Sequence, residues 1–245
     1  MKPTLLITGA AQRAGLALAE AYLEKGWQVL ATYRRDKPGV AHLRALGARC
    51  LQVDLQDRQQ IQALTDWVMQ QTSAVHALIH NASDWHADPL DPLAAVACLQ
   101  AQLQIHLLAP WQISLTLEPL LLAAADQAGR ADVIHMTDDV VRVGSAKHAA
   151  YAASKAGLEN LTYSLASRWA PKIRVNAIAP ALLAFQPQDT PEYRRETLAK
   201  SALQLEPGFE VLVETVDFLL QQRYMTGVVL PLNGGRHLKA AKKIT

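Results

Sequence analysis

Short runs of apolar and β-branched residues alternate along the chain with longer stretches whose apolar residues recur at helical spacing. Residues 13–25 are typical: Leu18, Ala21 and Tyr22 fall on one helical stripe, and Gly26 follows at its end. Further helices are predicted before Gly47, from the capping residue Asp57 to about residue 71, across 93–125 with bends near Pro110 and Pro119, and across 149–169. The predicted strands are residues 5–8, 28–33, 49–54, 75–80, 131–137, 172–178 and 227–232.

Strands that alternate with helices in this way imply βαβ units and a parallel sheet covered on both faces. The sequence contains no internal repeat or linker-like tract. We interpret the proline-containing stretch 180–191 as a loop over a site, and the basic stretch 239–245 as a solvated tail. The prediction is an α/β fold in a single domain over residues 1–245, with a doubly wound, Rossmann-type, seven-stranded parallel sheet.

Composition narrows the class of protein. Of the 245 residues, 50% are apolar, and 24 Lys and Arg nearly balance 22 Asp and Glu, so the net charge is only +2. This balance, with 6% aromatic residues, gives no reason to expect nucleic acid as a partner. No uninterrupted apolar run approaches the roughly 20 residues of a membrane span. Cys50 and Cys98 fit no disulfide framework, so we expect free thiols in a cytoplasmic protein. Neither the cysteines nor the histidines have metal-ligand spacing, so we expect no metal.

The first predicted strand leads into a turn that carries two glycines, Gly9 and Gly15, and then into a helix. Gly9 permits a tight turn, Gly15 permits close packing of helix on strand, and the free N–H groups at the helix start attract a pyrophosphate. Arg13 lies in the first helical turn, where a cation opposes the helix dipole unless an anion is bound. The alternative is that Arg13 is a solvated side chain pointing away.

The second predicted strand ends in Tyr33-Arg34-Arg35. A dinucleotide site selective for NAD usually has an acidic residue here, whereas paired arginines suit the 2′-phosphate of NADP. NADPH is therefore the predicted cofactor, and coincidental surface charge is the alternative.

Tyr151 and Lys155 lie four residues apart and so share one face of the predicted helix 149–169. A phenol donates a proton near neutral pH only if its phenolate is stabilised, and lowering its pKa from about 10 to about 7 needs roughly 4 kcal/mol. Lys155 and a nicotinamide ribose are expected to supply much of that stabilisation.

The chain also contains Asn81-Ala82, Asn176, Pro180 and Thr226-Gly227. In the order and spacing of these motifs and of those above, it resembles the short-chain dehydrogenase/reductase family over nearly its whole length. The resemblance implies that Tyr151 donates a proton, that Lys155 holds the nicotinamide ribose and that a homotetramer forms. The residues it places at the cofactor are Gly9, Arg13, Ala14, Gly15, Tyr33, Arg34, Arg35, Asp54, Leu55, Asn81, Ala82, Ser83, Tyr151, Lys155, Pro180 and Leu182.

Three residues depart from the family pattern: Arg13 replaces the middle glycine of the first turn, His106 replaces an asparagine, and Asp138 replaces the active-site serine. A serine hydroxyl donates to a substrate carbonyl and steadies the alkoxide that forms. An ionised carboxylate only accepts hydrogen bonds and repels that charge, so Asp138 favours a substrate that presents N–H groups. The alternative is that Asp138 turns to solvent or pairs with Arg142.

Arg13 and Asp138, together with Ser83 and Trp85 after the Asn-Ala pair, resemble the pteridine reductase branch of this family. The resemblance implies that a pterin stacks between Trp85 and the nicotinamide, and that Arg13, Ser83, Asp138 and Tyr151 contact it. It implies NADPH-dependent reduction of a 7,8-dihydropterin to the tetrahydro form, with dihydromonapterin as the preferred substrate and dihydrofolate as a weaker one. Trp85 as plain core filling is the alternative.

Two other functions stay open at this point. One is a carbonyl reductase of the same family, acting on a ketone, sugar or acyl substrate. The other is a non-catalytic NADP-binding regulator, which loss of Tyr151 or Lys155 would have favoured.

Overall fold

All seven strands of the computed structural model, which describes residues 2–239, lie in one sheet. The strand order is β3-β2-β1-β4-β5-β6-β7 and every neighbouring pair is parallel, so the predicted doubly wound sheet is confirmed. The strands are β1 (Thr4–Ile7), β2 (Gln28–Tyr33), β3 (Arg49–Gln52), β4 (Ala77–His80), β5 (Ala131–Met136), β6 (Ile173–Pro180) and β7 (Val229–Leu232).

The helices cover both faces of this sheet. Alternate residues of one strand supply different faces: Leu6 packs in one apolar cluster, whereas Leu5 and Ile7 pack in the other. The helices are α1 (Arg13–Glu24), α2 (Pro38–Ala45), α3 (Arg58–Gln71), α4 (Pro92–Leu103), α5 (Ala109–Thr116), α6 (Glu118–Ala128), α7 (Ala149–Trp169), α8 (Pro191–Leu198), α9 (Glu210–Gln221) and α10 (Arg236–Lys239). Residues 240–245, most of the predicted basic tail, lie outside the described residues.

Local signals place most element ends. The Asp57 carboxylate accepts hydrogen bonds from the backbone N–H groups of Gln59 and Gln60, so the predicted cap of α3 is confirmed. The prediction for α7 matches at both ends. Four strand predictions were too long: β3 ends at Gln52, β4 begins at Ala77, β5 ends at Met136 and β7 begins at Val229. The β6 prediction was too short, because Pro180 still pairs with Leu232.

The predicted bends in the stretch 93–125 are confirmed. A π-helical segment, Gln104–Leu108, joins α4 to α5, and its closing hydrogen bond runs from the Ala109 N–H to the Gln104 carbonyl. Because Pro110 has no N–H to donate to the preceding turn, a regular α-helix loses a bond there. A second break at Leu117 separates α5 from α6.

The 25-residue run Pro92–Thr116 is long and apolar enough to cross a membrane, by length and composition only. In its most apolar 18-residue segment, 22% is buried inside the protein. The expectation that no uninterrupted apolar run approaches the length of a span still holds, because polar residues such as Gln100 and Gln104 interrupt this one. Its inward side chains are nevertheless integrated into the fold: Ile105, His106 and Ile113 are buried in the layer above the sheet. We therefore interpret this run as a surface-layer helix whose outer side is apolar.

Candidate active site

The carboxyl ends of the first strands surround a cavity of about 420 Å³. Thirteen predicted site residues line it, so the fold brings them together. They are Gly9, Arg13, Ala14, Gly15, Tyr33, Arg34, Arg35, Asp54, Leu55, Asn81, Ala82, Ser83 and Trp85.

The first turn is held by close backbone contacts that only glycine permits. Gly9 has φ +72°, and a Cβ added there would lie 2.7 Å from the Cα of Ala82. A Cβ at Gly15 would lie 2.2 Å from the Gly9 carbonyl oxygen, which accepts a hydrogen bond of 2.9 Å from Asn81 Nδ2. α1 has no side-chain cap and no acidic residue in its first turn, so its N–H groups fit an anion such as a pyrophosphate.

Arg13 adopts φ +53°, a left-handed conformation that residues with a side chain rarely adopt. Glycine, which the family usually has at this position, adopts it readily. Its guanidinium donates to the carbonyl oxygen of Ala184 at 2.6 Å and lies over the Phe209 ring. Arg13 therefore ties the first turn to the loop 181–190 while it lines the cavity, and does not simply point into solvent.

The cavity has a cationic rim at the end of β2. Arg34 forms an ion pair of 2.7 Å with Asp84, so one of the two predicted phosphate ligands already holds a carboxylate. Among residues 2–239, Arg35 makes no such ion pair. Lys37 also lines the cavity and was missed, although it belongs to the same basic run.

Tyr151, Asp138 and Lys155 form a separate, buried corner. The Tyr151 hydroxyl donates to Asp138 Oδ2 at 2.9 Å, and Asp138 Oδ1 accepts from the Val140 N–H at 2.8 Å. The alternative that Asp138 turns to solvent or pairs with Arg142 is therefore wrong. Lys155 is only 2% exposed, and its Nζ donates to the Met136 carbonyl oxygen at 2.7 Å.

Burial dominates the protonation of this corner. It raises the pKa of Tyr151 well above its ordinary value, and the Asp138 carboxylate raises it further. It also raises the pKa of Asp138 and lowers the pKa of Lys155 to about 8. In this arrangement the Lys155 ammonium donates to the Met136 carbonyl oxygen and a carboxylate faces the phenol. Stabilisation of the phenolate by Lys155 and a nicotinamide ribose stays a prediction.

Trp85 covers the corner from the cavity side. It is 51% exposed, so core filling is not its role. Its ring stacks on His148 with 4.0 Å between centroids, and meets the Tyr151 ring edge-on at 4.4 Å. The cavity lining includes Trp85 but none of the three corner residues.

Two further predicted residues, Pro180 and Leu182, do not line this cavity. Pro180 ends β6, and Leu182 lines a second cavity of about 310 Å³ rather than the first. Asp88 was missed: its carboxylate accepts from the Ala149 N–H at 2.6 Å and so caps the helix that carries Tyr151. Its signal is weak, since 61 residues separate the two positions.

A sheet of this topology, a glycine turn at its first strand and a Tyr-Lys pair on one helix define an NAD(P)-type dehydrogenase. Residues 3–192 match the short chain dehydrogenase family, and the chain belongs to this family of oxidoreductases. It is 42% identical over 236 residues to the dihydromonapterin reductases of Escherichia coli K12 and of Shigella boydii, covering 96% of this chain and 97% of each relative.

Two solved structures are similar in fold. One is FolM alternative dihydrofolate reductase 1 from Brucella canis complexed with NADP, with a TM-score of 0.84, 27% identity and coverage of 96% of this chain and 94% of that chain. The other is the Brucella suis protein of the same name, also with NADP, at a TM-score of 0.86, 27% identity and coverage of 96% and 95%.

Proposed function

We propose that this chain reduces a 7,8-dihydropterin to the tetrahydro form with NADPH, with dihydromonapterin preferred and dihydrofolate used weakly. The observation that carries the proposal is the Asp138 carboxylate, 2.9 Å from the Tyr151 hydroxyl. The names of the relatives at 42% identity point to the same reaction.

The carboxylate selects the kind of substrate. An alkoxide developing beside Asp138 meets a negative charge, whereas a ring nitrogen or amino group donates a hydrogen bond to it. The adjacent Thr137 does not take over the serine's task, because it is buried and its hydroxyl donates to the Ile178 carbonyl oxygen at 3.1 Å. An N–H-rich heterocycle therefore fits this corner better than a ketone.

The described residues fit NADPH as the cofactor. The first turn would hold the pyrophosphate, Arg35 and Arg34 the 2′-phosphate, and Asp54 and Leu55 the adenine end. Asn81 and Ala82 would line the ribose of the adenosine, and Lys155, Pro180 and Leu182 the nicotinamide end. When bound, NADPH supplies the hydride.

The protein's own part is to place and protonate the pterin. The raised pKa of Tyr151 keeps its phenol protonated at neutral pH, so donation of that proton requires the bound substrate and cofactor to stabilise the phenolate. We propose that N5 of the pterin receives its proton from Tyr151 or from water ordered beside it. Trp85 would hold the flat ring by stacking, which fixes its orientation.

The test is a steady-state comparison of NADPH oxidation with dihydromonapterin, dihydrobiopterin, dihydrofolate and a panel of ketones. We expect turnover with the pterins and the folate. The matched control is Asp138→Ser, which restores the family hydroxyl. It should lower kcat/KM for dihydromonapterin about 100-fold, as the loss of a positioned polar group commonly does.

Turnover of ketones alone by the wild type would replace this proposal with a carbonyl reductase. Tight NADPH binding without any turnover would instead indicate a regulator.

We also propose that the chain is a cytoplasmic homotetramer. The outer side of the run Pro92–Thr116 exposes apolar side chains that a second copy would cover, namely Leu93, Val96, Leu108 and Trp111. Light scattering should give four chains for the wild type, and Val96→Glu combined with Trp111→Glu should give a smaller assembly.

A further inference from the structure

His106 lies behind the cavity wall, 1% exposed, in the π-helical segment Gln104–Leu108. Its two ring nitrogens have different neighbours. Nδ1 lies 2.8 Å from the hydroxyl oxygen of Ser154, and Nε2 lies 2.9 Å from that of Ser83 and 3.3 Å from the backbone nitrogen of Asp84.

These neighbours determine which nitrogen carries the proton. The Ser154 hydroxyl donates to the Tyr151 carbonyl oxygen at 2.7 Å, so it presents only lone pairs to His106 and Nδ1 must be the donor. The Asp84 N–H can only donate, so Nε2 must be the acceptor. Both arguments give the same neutral ring, protonated at Nδ1.

The tautomer in turn orients Ser83. Because Nε2 has no hydrogen, the bond of 2.9 Å to Ser83 exists only if the serine hydroxyl donates to it. The oxygen of Ser83 therefore keeps its lone pairs for other donors, and Ser83 both lines the cavity and interacts with the Tyr151 hydroxyl.

We infer that His106 is a positioning residue that holds the Ser83 hydroxyl as a hydrogen-bond acceptor, so that Ser83 and Asp138 together recognise N–H donors on the substrate ring. This inference rests on the proposed function and adds to it a determinant of substrate specificity. It also gives a reason for a histidine here: the ring accepts at one end and donates at the other, and Ser154 and Ser83 use both ends.

The surroundings keep the ring neutral. Burial and the nearby Lys155 charge lower the pKa of His106 to about 2. The groups that face it are Ser83, the Asp84 N–H, Ser154 and the Tyr151 ring, and none of them is an anion. Protonation would direct a second N–H at the Asp84 N–H and break the arrangement.

The first experiment needs no substrate. Nitrogen-15 NMR of the full chain, with the His106 signals assigned by their loss in His106→Phe, should show a neutral ring protonated at Nδ1 from pH 6 to 8. A ring protonated at Nε2, or one that titrates in this range, would overturn the inference and leave the proposed function intact.

The second experiment measures the effect on the substrate. His106→Phe cannot accept from Ser83, so the KM for dihydromonapterin should rise about tenfold, the effect of one lost hydrogen bond, while the Kd for NADPH stays within twofold. His106→Gln, whose amide oxygen accepts, should recover most of this loss.

Ser83→Ala supplies the matched control. If His106 acts through Ser83, the Phe and Gln variants should have the same KM once Ser83 is alanine. Fully additive effects would overturn the inference. A wild-type chain with no dihydropterin turnover would overturn the proposed function instead, and the NMR result would still report the ring's tautomer.

Discussion

The cavity at the first turn and the corner around Tyr151 belong to one site but differ in kind. The cavity is open, with a volume of about 420 Å³ and a rim that carries Arg34, Arg35 and Lys37. The corner is buried, holds a carboxylate against a phenol, and is covered by Trp85.

The difference shows which part of the site is ready for its ligand. Cations at a rim attract an anion from solution without a change of shape. The corner is different, because the indole of Trp85 occupies the approach to the Tyr151 ring. We expect the indole to shift when a flat substrate stacks on it and comes within reach of the Tyr151 hydroxyl.

The largest expected effect separates chemistry from binding. Tyr151→Phe removes the proton donor but keeps the ring that packs against Trp85 and His106. We expect kcat for dihydromonapterin to fall about 100- to 10,000-fold, the usual contribution of a general acid. The Kd for NADPH, measured by fluorescence titration, should be unchanged. Full turnover by this variant would remove Tyr151 from the chemistry.

Trp85→Ala tests the cover. Stacking of a flat ring on an aromatic side chain is worth about 1–3 kcal/mol, so the KM for dihydromonapterin should rise about five- to 150-fold. The KM for NADPH should change far less, because the cavity rim is intact. The KM of Trp85→Phe for dihydromonapterin should lie between those of the wild type and of Trp85→Ala. Equal changes in both KM values would contradict the stacking role.

Arg35→Ala tests the cationic rim. Loss of one exposed, charge-assisted hydrogen bond should reduce the preference for NADPH over NADH about tenfold. Arg34→Ala is the matched comparison, and its effect should be smaller because Arg34 already holds Asp84 at 2.7 Å. The measurement is the ratio of kcat/KM with NADPH to kcat/KM with NADH, in the wild type and in each variant. Equal use of both cofactors by the wild type would show that the rim does not bind a 2′-phosphate.

The smallest effect is a dependence on pH. Burial lowers the pKa of Lys155 to about 8, so half of its charge is lost there. Activity that depends on the ammonium should be about halved near pH 8 and fall further above it. An activity profile flat from pH 7 to 9 would contradict this.

The same group has the opposite effect on stability. Between pH 8 and its unfolded pKa of about 10.4, the unfolded chain holds more protons at Lys155 than the native chain. Its contribution to the free energy of unfolding therefore rises with pH in that window. Chemical unfolding of the wild type and of Lys155→Met at pH 8 and pH 9.5 measures the difference.

The sheet and most helices were predictable because they depend on local periodicity and caps, such as the Asp57 carboxylate at the start of α3. The turn at Gly9 was predictable for the same reason. The pairing of Arg34 with Asp84 was not, because it joins residues 50 apart through the sheet order. The raised pKa of Tyr151 was also not predictable, because it depends on burial in the folded chain. The sequence does not show either that Lys155 donates to the Met136 carbonyl oxygen.

The Arg13 guanidinium connects the loop 181–190 to the first turn, because Arg13 lies in that turn and donates to the Ala184 carbonyl oxygen. Two equilibria that draw on a common group are thermodynamically linked, and the linkage is reciprocal. We expect an anion that binds the Arg13 guanidinium to weaken its bond to the Ala184 carbonyl oxygen and so to shift this loop. By the same factor, a substitution that favours one loop position changes the affinity of the turn for that anion.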